Sequence, residues 1–113
     1  MNPIKIQNEY GEFIEVKWDA DGNIQIRHSD IDKNNFGQFH EFAKRSRQPG
    51  IEESLKAKGI DANNPEAKEL LAKMGGYLVI KGQTYFVNAE ETAMIIDAVK
   101  QAGGIVPNWS AQA

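Results

Sequence analysis

Two histidines and two aspartates stand close together in the amino-terminal third of the chain: His28, Asp30, Asp32 and His40. Imidazole and carboxylate suit zinc, iron or manganese, and a metal held with an open position lowers the pKa of its bound water for hydrolysis. On an extended chain His28, Asp30 and Asp32 share one face, and His40 on the following element would add a second imidazole. A structural reading competes with this one. Asp30 and Asp32 lie where a strand hands over to a helix, and short acidic side chains are favoured there because they accept the unpaired amides of the first turn. His28 occupies the place where the alternation of Ile24 and Ile26 calls for a core residue. A histidine beside Trp18, with one ring nitrogen bonded to backbone or a carboxylate, belongs to the core or its rim. The structural reading is preferred, and a small metal-assisted hydrolase or small-ligand-binding protein using the four residues is the alternative.

The remaining chemistry is sparse. Ser29, Ser46, Ser54 and Ser110 include none in a glycine-flanked strand-to-helix elbow, and Glu90 with Glu91 are the acids expected in the first turn of a helix. In Asp19-Ala-Asp-Gly-Asn23 the calcium-ligand ladder stops at Gly22 with no terminal glutamate, so the segment reads as a turn. Lys44, Arg45 and Arg47 form the only dense basic cluster. They could contact an anion, or complement the carboxyl end of a helix. A formal charge of -3 supplies no general attraction for nucleic acid or anionic lipid, and neither partner is expected. The chain has no cysteine, which excludes disulfides and thiolate chemistry and suits a reducing compartment. With no signal-peptide pattern and no run of about 18 apolar residues, a cytoplasmic protein is expected. No cofactor is expected.

The elements follow from periodicity. Ile4 and Ile6, then Ile14, Val16 and Trp18, then Ile24, Ile26 and His28 alternate with polar residues, which predicts three antiparallel strands. Phe36, Phe39 and Ala43, widened by Phe42, recur at helical spacing and predict a helix that ends at Pro49-Gly50. Ile51 with Leu55, and Leu70, Leu71 and Met74 behind Asn64-Pro65, predict two short helices. The segment from Tyr77 to Val87 predicts a hairpin turning at Lys81-Gly82. Its alternation is read with Tyr77, Val79, Tyr85 and Val87 on one face and Leu78, Ile80 and Phe86 on the other. Asn88 and Glu91 have capping-box spacing before a helix that buries Ile95, Ala98, Val99 and Ala102.

The expected class is therefore α+β in two layers. One antiparallel sheet of about five strands, an N-terminal three-strand meander plus the C-terminal hairpin, is packed by about four helical segments. Residues 1–106 form a single domain and 107–113 a C-terminal tail. Both hairpin faces are apolar, Phe13 falls on a nominally polar face, and Trp109 stands in an aperiodic tail. This apolar surplus predicts a non-enzymatic binding or protein-interaction domain, homodimeric or paired with another protein, in which Phe13, Tyr85, Phe86 and Trp109 make contacts.

Overall fold

A computed structural model of the chain describes residues 3–7, 9–33 and 37–107, the side chain of Asp32 excepted. The first three strands are β1 (Ile4–Gln7), β2 (Phe13–Trp18) and β3 (Ile24–His28), and they form the expected meander. Its register sets Ile14 opposite His28, Val16 opposite Ile26 and Trp18 opposite Ile24, so the alternating apolar residues share an inner face. A short helix, α1 (Ser29–Asp32), follows directly.

The helix expected from Phe36 through Ala43 and ending at Pro49-Gly50 does not form over its described part. Residues 40–44 are extended instead, as β4 (His40–Glu41) and β5 (Ala43–Lys44), followed by a 3-10 turn at Arg45–Arg47; Phe36 lies outside the described residues. The reason lies in the backbone. Glu41 and His40 pair with Gln25 and Ile26, and the Phe42 N–H donates to the Ile24 carbonyl at 2.9 Å. Ala43 and Lys44 then pair with Tyr77 and Gly76 of a different sheet. An extended chain here gives two sheet edges a partner at once, which one short helix could not do. Phe42 is 1% exposed while Glu41 beside it is exposed, a period of two beneath the helical-looking spacing.

After α2 (Ile51–Ala57) and α3 (Pro65–Lys73), β6 (Gly76–Ile80) and β7 (Gln83–Val87) make the hairpin and α4 (Ala89–Gln101) the last helix. The architecture is α+β, but it holds two antiparallel sheets rather than one of five strands. Sheet A has the order β1-β2-β3-β4 and sheet B the order β5-β6-β7. Phe42 is the single residue between them. Its ring lies against Gly76, where a Cβ would overlap the ring, and a Cβ on Gly75 would strike the Val87 carbonyl. Close approach, more than helix termination, fixes these two glycines.

The hairpin faces also differ from the simple alternation. Lys81 and Gly82 have φ of 51° and 80°, the paired left-handed conformations of a two-residue type I′ turn. Such a turn pairs odd-numbered residues with even ones: Tyr77 with Phe86, Leu78 with Tyr85, Val79 with Thr84. Leu78, Ile80, Tyr85 and Val87 therefore face inward, and Tyr77, Val79, Thr84 and Phe86 face outward.

Ile14, Val16, Ile24, Ile26, Phe42, Leu78, Ile80, Val87, Ile95 and Val99 make one core drawn from both sheets and α4. Burying each such side chain is worth about 1.5–3 kcal/mol, so the two sheets are cemented by a common interior. The helix ends match their sequence signals. Asn64 Oδ1 accepts the Glu66 N–H at 2.9 Å, and Asn88 Oδ1 accepts the Glu91 N–H at 2.7 Å. On α4, Thr92 takes the buried place expected for Ala102, which is exposed. Past that helix the chain packs back onto sheet A. A Cβ on Gly104 would come within 2.7 Å of Trp18 and Val99, Ile105 meets Gly22, and Val106 packs on the core. Residues 108–113, with Trp109, lie outside the described residues.

Candidate functional site

His28 ends β3 and caps α1. Its Nδ1 accepts the Asp30 N–H at 3.2 Å, and its Nε2 lies 2.6 Å from Glu91 Oε2 on α4. A ring nitrogen that accepts carries no proton, so the partners assign the proton to Nε2, which donates to the carboxylate. The other oxygen of Glu91 accepts from Asn88 Nδ2 at 2.9 Å. With its side chain 10% exposed and both nitrogens engaged, His28 ties the end of sheet A to the start of α4.

The other members of the sequence cluster go elsewhere. Asp30 is exposed, and the side chain of Asp32 lies outside those described. His40 sits opposite Ile26 on the inner face, a diagonal neighbour of His28, and its Nε2 is buried without a hydrogen-bond partner among the described residues. Among those residues no three His, Asp or Glu side chains gather to hold a metal. A shallow open groove of about 530 Å³ at the α2–α3 connection is lined by Glu52, Lys56, Ile60, Asp61 and Asn63 and contains neither histidine.

Asp19 closes its turn from within. Its carboxylate accepts the N–H groups of Asn23 and Asp21 at 3.0 and 2.9 Å and the Asn23 side chain at 3.1 Å. These bonds, the backbone N–H of Asn23 first, hold its pKa below the ordinary 3.8. Its lone pairs serve the loop.

The basic cluster separates. Lys44 Nζ donates to the carbonyls of Ala72 and Met74 at 2.9 and 3.1 Å, at the carboxyl end of α3, and burial pulls its pKa below 10.5. Arg45 lies over Phe86, 4.3 Å from the ring centroid. Arg47 is half-buried in the 3-10 turn.

The residues expected at an interface are likewise divided. Phe13 is on the outer face of sheet A, with Lys5 Nζ at 4.6 Å and Arg27 Cζ at 5.2 Å from its ring centroid. Lys5, Glu15 and Arg27 stand in register across the three strands, and Arg27 pairs with Glu15. Lys17 covers Phe39 at 4.5 Å. Tyr85 points inward onto the core. Phe86 is 53% exposed on the outer face of sheet B, between Tyr77 and Arg45 and near Val79, which is also 53% exposed. This outer face is the one apolar sheet surface among the described residues. The expected interface set of Phe13, Tyr85, Phe86 and Trp109 did not include Tyr77 and Val79, which the sequence reading placed on the face opposite Phe86, nor Arg45, which it read as an anion contact; the turn type reveals the first two. Neither the protein-family models, the curated proteins nor the solved structures gave a significant match to the chain. Among the described residues no helix is long and apolar enough to cross a membrane.

Proposed function

We propose that this chain is a non-enzymatic protein-interaction domain, that it works as a homodimer, and that it docks through sheet B. The observation that carries the reading is the outer face of the hairpin, where Val79 and Phe86 each leave 53% of their surface in water beside Tyr77 and Arg45. Aromatic side chains and arginine concentrate in the energetic centres of interfaces, and an arginine stacked on an exposed ring presents a rigid, partly desolvated anchor. Three of the polar residues with a claim to chemistry are meanwhile engaged in holding structure: His28 in its cap and its hydrogen bond to Glu91, Asp19 in its turn, Lys44 on α3. The absence of cysteine favours a reducing, cytoplasmic setting.

Light scattering coupled to gel filtration tests the reading. Twice the 12.6 kDa chain mass is expected at high micromolar concentration. Phe86→Glu should return the mass to that of the monomer with the fold retained, because the side chain is half in solvent. A wild-type monomer under these conditions would overturn the homodimer.

A further inference from the structure

We propose that β7 is the dimer seam. Two copies pair antiparallel through its open edge about a two-fold axis at Tyr85, joining the three strands of each sheet B into one continuous sheet. This rests on the homodimer reading above and specifies its geometry.

The turn decides which backbone groups are free. In a two-residue hairpin the flanking residues, Ile80 and Gln83, exchange both of their hydrogen bonds, and the pairs that do so then alternate along the ladder. Gln83, Tyr85 and Val87 therefore bond to β6, while the N–H and C=O of Thr84 and Phe86 point away from it. Among the described residues neither makes a further backbone hydrogen bond. β7 ends the sheet.

Two of the sheet edges, β1 and β7, are built differently. β1 is preceded by Pro3 and carries Lys5, devices that discourage pairing with another strand. β7, Gln83-Thr-Tyr-Phe-Val87, has neither proline nor charge. Two copies meet along it without like charges facing one another. With the axis at Tyr85, Thr84 of each copy lies opposite Phe86 of the other, and all four free groups of each copy find partners. A register centred on Thr84 would set Phe86 against Gly82 of the turn, and one centred on Phe86 would set Thr84 against the helix cap Asn88. The Tyr85 register also makes the two Phe86 side chains diagonal neighbours on one outer face, within reach of each other. A strand of five residues covers less than the ~800 Å² per partner of a standard interface, which sets the expected affinity in the micromolar range.

Two variants test the seam. Thr84→Pro removes an N–H that serves no backbone bond among the described residues, so it should remain folded by circular dichroism yet stay monomeric at concentrations where the wild type dimerises. Tyr85→Cys, in a chain with no other cysteine, should form a disulfide-linked dimer on mild oxidation, because residues at the axis bring their Cβ atoms to about 4.5–5.5 Å. Val79→Cys on β6 should not. A wild-type chain that is monomeric throughout overturns the homodimer and the seam together. A wild-type dimer that persists in Thr84→Pro, or that fails to cross-link through Tyr85→Cys, overturns the seam alone and leaves docking through the outer face. Should Thr84→Pro fail to fold, the cross-linking comparison decides.

Discussion

On the outer face of sheet A, Phe13 is flanked by Lys5 and Arg27 from both neighbouring strands, whereas on sheet B Phe86 has Arg45 over its ring and half of its surface in water. The contrast runs through whole strands. In β1, β2 and β3 the residues between the core positions include Lys5, Glu15, Lys17 and Arg27, so a solvated ladder of charge covers the sheet. In β6 and β7 the same outward places hold Tyr77, Val79, Thr84 and Phe86. An exposed aromatic ring is thus no sign of an interface by itself. What distinguishes the two rings is whether neighbouring cations from both sides keep water and partners away.

The largest expected effect comes from breaking the junction that sets the two faces apart. Gly76→Ala places a methyl group in the Phe42 ring and should cost about 3 kcal/mol, the upper range for overpacking a tight core. Because Phe42 belongs to the interior of both sheets, urea unfolding followed by circular dichroism and by tryptophan fluorescence should shift together. Separate transitions would mean that the sheets are independent units.

Next in size is His28→Ala, expected to lower stability by about 2 kcal/mol, since it removes a hydrogen bond to a carboxylate and a cap in one step. Chemical denaturation measures it, and Glu91→Gln should lose a smaller part of the same energy. A neutral effect would deny that sheet A and α4 are tied at this point.

The smallest effect sharpens the comparison itself. Glu15→Leu makes the face of sheet A more apolar and leaves Lys5 and Arg27 without the acid between them, at an expected cost of about 0.5–1 kcal/mol in thermal unfolding. The association constant from sedimentation should not change. Stronger association would show that apolar content on either sheet, rather than the place of sheet B, controls docking.

Strands β1 to β3, the hairpin and the helices capped by Asn64 and Asn88 were legible because each is specified by residues near one another in sequence. The segment 40–44 was not, because its pairing partners, Gln25, Ile26, Gly76 and Tyr77, are remote, and Phe39 and Ala43 supplied a helical spacing that tertiary pairing overrode. His28 was legible as a rim residue, but its partner Glu91 was not, since nothing local links positions 63 residues apart. The hairpin's outward face was misread for a geometric reason: alternation counts along each strand, while the type I′ turn sets the phase between them.

Helix α4 packs against β2, and the turn after it sets Gly104 on the Trp18 ring. During synthesis sheet A's first three strands therefore emerge well before the helix that covers their inner face. Ile14, Val16, Ile24 and Ile26 must wait for Ile95 and Val99 to emerge, and the wide separation of these contacts predicts slow, late closure of the core. In that interval the Lys5, Glu15 and Arg27 ladder guards only one side of the nascent meander, and the side left bare carries the same residues that later join both sheets in one core.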